Sequence, residues 1–232
     1  MRLGPVHFTF LLCLVWVTPG CRSVDPAAHF VAETDRAPAE QRPKDWEQTK
    51  NLLNRKPPIA GSLAPDFSLP TLDGSQTIQR SLYQKGRPLV LIFGNYTCPP
   101  FRHHATEAQA LYDKYRDRAA FLFVYVQEAH PADGWQMDSN ESEGVVFNQP
   151  REAGQRQAIA RQCCSNLNLS IPCVVDSIDN SVDNLYAGWP DRIFVIDSQD
   201  TIVYAGNQGP WGFKPKQAEK ALRQLIKRPP SL

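Results

Sequence analysis

An α/β fold, with a central mixed β-sheet flanked by helices, is what this sequence predicts, and three observations carry the prediction. Leu89–Phe93 is an unbroken apolar run, the pattern of a strand buried on both faces of a sheet. Gly94-Asn-Tyr-Thr-Cys98-Pro-Pro breaks that run and leads straight into a polar-apolar segment, Phe101–Arg118, with helical spacing. A second apolar run, Ala120–Val126, follows that helix and reads as a second buried strand.

In chain order, residues 1–20 read as a signal peptide. Arg2 gives a positive start, and Val6–Val17 is an apolar stretch of 12 residues, too short for a bilayer, which needs about 20. Thr18-Pro19-Gly20-Cys21 resembles a lipobox, which would make Cys21 the first mature residue and the site of lipidation. The protein is then expected to be exported, on the periplasmic side of a bacterial membrane as a lipoprotein, or otherwise secreted. An uncleaved anchor is the remaining alternative. Residues 21–58 are rich in Ala, Pro and charge with little periodicity, and read as an extended tether. The alternative for that stretch is a helix near Trp46–Asn54 packed on the domain through Trp46, Leu52 and Leu53.

The domain is expected over residues 59–228. Ala64–Leu69 is a short strand, and Leu72-Asp73-Gly74 a turn. After the main strand, Cys98 and the first helix, Gln127–Pro150 is an irregular insertion following the second main strand. Arg151–Cys164 is helical, Ile171–Asp176 a third strand and Asp179–Ala187 a short helix. Arg192–Asp197 and Thr201–Ala205 form a hairpin, and Pro215–Lys227 a closing amphipathic helix. This order, with a cysteine just after the first main strand, is that of a thioredoxin-like fold. A cis peptide is expected at Ile171–Pro172, facing the cysteine.

With 232 residues, 42% of them hydrophobic, and a net charge of +1, the chain suits one domain with appendages. Basic and acidic residues are interspersed, so nucleic acid is not an expected partner. Of six cysteines, removing Cys13 with the leader and assigning Cys21 to lipid leaves Cys98, Cys163, Cys164 and Cys173.

Cys98 should sit where a buried strand meets a helix N-terminus, with proline in the first turn. Free N–H groups and the helix dipole favour an anion there, which predicts a thiolate near neutral pH and a nucleophilic or redox role. The alternative is a small buried hydrophobe. Arg102, one turn on, lies on the same helix face and would favour the thiolate, whereas His103 and His104 turn away from it.

The segment Arg87-Pro-Leu-Val-Leu-Ile-Phe-Gly-Asn-Tyr-Thr-Cys-Pro-Pro-Phe101 resembles the active-site segment of the iodothyronine deiodinases. In the vertebrate enzymes a selenocysteine stands where Cys98 stands here. The resemblance extends through Val124–Trp135, with its Glu-Ala-His-Pro-Ala-Asp-Gly-Trp block, Asn184–Ala187, Pro190–Ile196 and Gly209–Gly212. Ala64-Pro-Asp-Phe is similar to the redoxin branch of the same superfold.

The resemblance implies a thiol-dependent reductase in which Cys98 takes halogen from an aromatic substrate or oxygen from a peroxide. Glu128 and His130 match the family's acid/base and proton-relay positions, and Arg192 an arginine on the active-site side. Chemistry agrees, because the leaving atom needs a proton and histidine is the obvious donor near neutral pH. Two apart on a strand, Glu128 and His130 would point to one side. Thr97, Phe101, Trp135 and Pro172 are the expected lining of a substrate pocket.

Cysteine in place of selenocysteine implies slower dehalogenation. The family's hormone-contacting histidine has no counterpart, Asn148 standing near its place. Phe101 occupies the position of a Cys-x-x-Cys partner, so a second thiol must come from Cys163, Cys164, Cys173 or outside. No cofactor or metal is expected. The expected partners are a halogenated aromatic or peroxide, an external thiol reductant or thioredoxin-like protein, and a membrane surface through lipid, with self-pairing left open. A plain peroxiredoxin-like peroxidase and a non-catalytic exported binding module are the competing readings.

Overall fold

A computed structural model describes residues 25–227. The expected signal peptide and Cys21 lie outside the described residues. The chain opens with helix α1, Pro26–Arg36, started by Asp25, whose side chain accepts from the Ala27 N–H at 3.1 Å. Helix α2, Trp46–Leu53, folds back on it. The Trp46 indole N–H donates to Asp35 Oδ1 at 2.8 Å, and Lys50 pairs with the same carboxylate at 3.0 Å.

The extended tether expected over residues 21–58 is therefore corrected: the described part is a helix pair bound to the domain. Val31, Trp46 and Leu53 are buried in the core that also holds Cys98. The alanine- and proline-rich composition hid this, because so few apolar residues anchor the helix pair to the core.

A small antiparallel ribbon follows, of β1, Ser68–Pro70, and β2, Thr77–Gln79, and then a single turn, α3, Arg80–Tyr83. The chain then runs β3, Leu89–Gly94; α4, Pro99–Tyr115; β4, Ala120–Tyr125; α5, Asp138–Ser142; α6, Ala153–Asn166. It ends with β5, Cys173–Val175; α7, Ser181–Tyr186; β6, Arg192–Ile196; β7, Ile202–Ala205; and α8, Pro215–Lys227. The main sheet has the order β5-β4-β3-β6-β7; β5, β4 and β3 pair in parallel, β6 is antiparallel to β3, and β7 is antiparallel to β6.

β3 is central and buried throughout, as its apolar run requires. Alternate residues feed two cores: Val90 and Ile92 join Phe101, Leu111 and Leu222, while Leu89, Leu91 and Phe93 join Phe67, Leu69 and Tyr186. The α4 and α8 helices cover the first face; the ribbon and α7 cover the second.

The sheet order corrects one further expectation. The cis peptides among the described residues are Trp189–Pro190 and Gly209–Pro210, not Ile171–Pro172. β6, rather than β5, pairs with β3, so the residues entering β6 are the ones brought beside the Cys98 loop. Asn95 Nδ2 donates to the Pro190 carbonyl at 2.9 Å. Pro172 instead leads into the edge strand, where a missing N–H is tolerated, and its carbonyl accepts from Phe123 at 2.8 Å.

Candidate active site

The loop from Gly94 to Cys98 carries the site. Gly94 ends β3, and a Cβ there would stand 2.3 Å from the Phe101 ring. Only glycine lets that ring fold back under the strand. Phe101 accordingly stacks on Phe123, with ring centroids 5.1 Å apart, and is fully buried. Its expected place in a substrate pocket is corrected to a core position.

Cys98 caps α4, with Pro99 and Pro100 in the first turn. The helix terminus does not make it a thiolate. Cys98 is only 1% exposed, and burial, followed by the Asp191 charge, pushes its thiol well above the ordinary range. The Phe101 N–H and Arg102 act in the opposite sense and are outweighed. Arg102 is turned to structural work: Nη1 donates to the Tyr96 carbonyl at 2.7 Å, and Nη2 to Asn140 Oδ1 at 2.8 Å.

Thr97 is the most heavily bonded residue of the loop. Its N–H and its hydroxyl both donate to Glu128 Oε2, at 3.0 and 2.7 Å. The hydroxyl also accepts from the His130 N–H at 3.1 Å, and Asn140 Nδ2 holds the Thr97 carbonyl at 2.9 Å. Glu128 Oε1 accepts a short bond from the Tyr125 hydroxyl, which in turn accepts from the Tyr96 N–H at 3.1 Å. Burial raises the Glu128 carboxyl above its ordinary value, while the bonds from Tyr125 and Thr97 hold the shift back. Glu128 and His130 lie past the end of β4, not on it. What joins them is the Thr97 hydroxyl rather than strand alternation.

His130 is not the near-neutral donor expected. Burial brings its pKa down to about 4, so it is a neutral imidazole at pH 7. Nδ1 sits 3.1 Å from the Trp135 carbonyl, which fixes the proton on that nitrogen and leaves Nε2 an acceptor. Arg192 is buried, and its guanidinium donates to the Ala187 and Gly206 carbonyls, each at 2.7 Å, and to Gln208 at 3.2 Å. Three neutral acceptors occupy it.

Trp135 borders a cavity of about 220 Å³ between α2 and the insertion, together with Gln48, Leu52, Glu128 and Arg151. Thr97, Phe101 and Pro172 do not border it. The phenyl ring of Phe30 on α1 is 6.0 Å from Trp135 and 5.6 Å from Trp211, and so lies between the two tryptophans.

The other cysteines among the described residues, Cys163, Cys164 and Cys173, are free and buried. Cys173 begins β5 on the sheet edge, two strands from β3, and its thiol meets that of Cys164. Cys163 lies nearer the Tyr125–Glu128 bond. None of the three is among the groups acting most strongly on Cys98, which are Asp191, the Phe101 N–H, Arg102 and Glu128.

Sequence reasoning missed Tyr125, Asn95, Asn140 and Asp191. Asp191 sits inside the Pro-Asp-Arg triplet from which only the arginine was singled out, and it is completely buried.

A family model described as iodothyronine deiodinase matches residues 45–226. The type I iodothyronine deiodinase of Xenopus laevis is 32% identical over 166 residues, covering 72% of this chain and 64% of the relative. The thyroxine 5-deiodinase of Rattus norvegicus is 36% identical over 158 residues, covering 66% and 49%. The chain thus spans between about half and two thirds of these relatives. Among solved structures, the thioredoxin domain of a thiol-disulfide oxidoreductase from Bacteroides vulgatus superposes with TM-score 0.51 at 14% identity, covering 73% of this chain and 99% of that one. A hypothetical protein from Sinorhizobium meliloti gives 0.55, also at 14% identity, covering 74% and 86%. These two show the thioredoxin-like fold.

Proposed function

The chain belongs to the iodothyronine deiodinase family, and from that footing we propose that it is a thiol-dependent reductase with Cys98 as nucleophile. The observation that carries the reading is the position of Cys98: it links the central strand to α4, and the residue before it is clamped by Glu128. Sulfur would attack iodine of an aryl iodide, forming S–I while the C–I bond breaks and the carbon takes a proton. Sulfur loses two electrons and the carbon gains them. An external dithiol would then displace iodide from sulfur, giving a mixed disulfide, and its second thiol would release Cys98. A cysteine at this site, instead of selenocysteine, argues for a slow reaction.

In this scheme Thr97, Glu128 and Tyr125 position the loop that presents the thiol. His130, held neutral with Nε2 bare, is a proton acceptor rather than a donor at neutral pH. Residues 1–20 would export the protein and Cys21 would carry lipid, so that the domain meets its substrate and reductant outside the cytoplasm.

Peroxide reduction is the second reading, and the burial of Cys98 favours it. A peroxide is small enough to reach a thiol that is 1% exposed, whereas an iodinated aromatic needs its cover to move. The sulfur would then become a sulfenic acid and release water or an alcohol.

The deciding experiment is iodide release from thyroxine by the full chain with excess dithiothreitol, beside Cys98→Ser. Release that vanishes in the variant is the expected result. If there is no release but peroxide consumption still depends on Cys98, the second reading holds. Activity unchanged in Cys98→Ser would remove the nucleophile from both.

A further inference from the structure

Asp191 is the one residue against Cys98 whose polar atoms have no assigned work. It is 0% exposed, and neither carboxyl oxygen has a hydrogen-bond partner among the described residues. A buried carboxyl normally finds donors, because leaving it unpaired costs the full desolvation of the group. Arg192, next in sequence, does not supply them, since its donors go to Ala187, Gly206 and Gln208. Gly209 closes the space on the other side: a Cβ there would stand 1.8 Å from Asp191 Oδ1. Gly209 thus crowds the carboxyl on one side, and Asp191 and the Cys98 thiol act on each other.

Each of these two groups is disfavoured as an anion in so dry a place. Burial brings Asp191 up to about 7, while the Gly209 N–H, the Arg192 charge and the Cys98 thiol pull it down. The charges facing the pair are Arg192 on β6, Arg102 on α4 and Glu128 beyond β4. Above about pH 7, where Asp191 has ionised and the thiol has not, the pair holds one proton between two acceptors, thiol with carboxylate or thiolate with carboxylic acid. The second form is a nucleophile with a proton donor beside it, which is what a reductive displacement needs.

We propose that Asp191 is the proton-exchanging partner of Cys98: its carboxylate takes the thiol proton as sulfur bonds to the substrate's electrophilic atom, and the acid gives it to the leaving group. With hydrogen peroxide, Cys–SH and Asp–COO⁻ become Cys–S⁻ and Asp–COOH. The S–O bond then forms as O–O breaks, and the departing hydroxide leaves as water with the Asp191 proton. With an aryl iodide the same proton goes to the ring carbon as S–I forms. Sulfur is oxidised by two electrons in either case, and Asp191 ends as the carboxylate. This step rests on the reading of Cys98 as the nucleophile.

Two reagents separate proton donation from plain electrostatics. Iodoacetamide needs only a thiolate, because iodide leaves without a proton, whereas peroxide needs the thiolate and a donor. Single-turnover rates of Cys98 modification by each, followed by mass spectrometry on the full chain, give a ratio that is independent of any natural substrate. In Asp191→Asn alkylation loses only the proton acceptor, an effect that removal of the negative neighbour offsets, whereas peroxide oxidation loses acceptor and donor and should fall at least about 10-fold further than alkylation does. Both rates moving together by the same factor would overturn the proposal and leave the nucleophile reading standing. Cys98 inert to both reagents in the unaltered chain would overturn the nucleophile reading itself. A variant that fails to fold does not block the test, because the unaltered chain carries a second readout. Its alkylation rate should keep rising with pH as the thiol ionises, while its peroxide rate levels off once Asp191 has lost its proton. Parallel pH profiles would overturn the proposal.

Discussion

Thr97 and Glu128 are joined twice, the backbone N–H and the hydroxyl of one both donating to Oε2 of the other at 3.0 and 2.7 Å. Glu128 comes from beyond β4 and Thr97 from beyond β3, so this pair ties the ends of two parallel strands at the residue before Cys98. Replacing Thr97 by Val keeps the volume and removes the hydroxyl. That leaves the half-buried His130 N–H and one buried Glu128 lone pair without partners, at a cost of about 1–3 kcal/mol in urea unfolding. Cys98 reactivity should fall about tenfold with it, an estimate from the roughly one hydrogen bond's worth of positioning lost. Thr97→Ser, which keeps the hydroxyl, should restore both; a Ser variant as impaired as Val would show that the methyl group, not the bond, is what matters.

The pH dependence of stability should reveal two buried groups working against each other. Asp191 ionises at about 7 in the folded chain against 3.8 unfolded, so the stability held by its protonated form is complete below about 4 and declines as pH rises to 7. His130 takes a proton at about 4 in the folded chain against 6.5 unfolded, so its contribution is complete above 6.5 and is lost as pH falls to 4. The two slopes nearly cancel over the same window. Asp191→Asn should uncover the histidine, giving a stability that rises between pH 4 and 6.5 by at most about 3 kcal/mol, because the raised carboxyls of Glu128 and Asp176 slope the other way. His130→Gln should uncover the aspartate and slope the other way. Urea midpoints across that range decide it, and two variants with the same slope as the parent would remove both groups from the account.

The sheet and the loop that carries Cys98 were legible in the sequence because local pattern is enough for them. An apolar run such as Leu89–Phe93 has one good use in a small domain, and two prolines after Cys98 mark a helix start. The neighbours of Cys98 were not legible, because they depend on strand order. Pro172 and Cys173 were expected at the site on the assumption that the third strand borders it, whereas β6 takes that place and brings Pro190 and Asp191 instead. Charge state was equally hidden. The helix start at Cys98 argued for a thiolate, and only the 1% exposure of its side chain shows that desolvation wins.

The folded unit should prove to begin before residue 59. Arg55, from the stretch expected as tether, donates to Asp183 Oδ1 at 2.9 Å, and Asp183 is fully buried on α7. Gln208 Nε2 likewise donates to the Leu53 carbonyl at 3.1 Å. Asp183 keeps its bonds from the Trp189 N–H and Gln127, but loses its cation if Arg55 is removed. Arg55→Ala should therefore cost about 2 kcal/mol, less than a fully buried pair because Arg55 is partly exposed. For a chain of this size that is roughly 4–8 °C of melting temperature. A chain starting at residue 59 should lose more, whereas an unchanged melting temperature would return the segment to the role of a tether.

Phe30 should prove to be part of the cover over Cys98. Its ring lies 5.9 Å from Trp46, 6.0 Å from Trp135 and 5.6 Å from Trp211. Both outer walls connect to the cysteine: the Trp135 carbonyl holds His130, whose N–H meets Thr97, and Trp211 follows the Gly209 that closes on Asp191. Because Phe30 is only partly buried, Phe30→Ala should cost a modest 1–2 kcal/mol or so, below the range for a core phenylalanine. The informative readout is not stability but access. If the helix pair shields the thiol, Cys98 alkylation in Phe30→Ala should accelerate several-fold under conditions where both chains are fully folded. Asp35→Asn, which weakens the bond that holds Trp46 and the pairing with Lys50, should act in the same direction. Acceleration in both variants would mean that Cys98 is reached by displacing α1, and protection of the thiol by thyroxine added in excess would show that an iodinated aromatic can use the same way in. Unchanged alkylation would mean that reagents reach Cys98 without moving α1, leaving Phe30 a stabilising contact and directing the search for an entrance to the cavity beside Trp135 and Arg151.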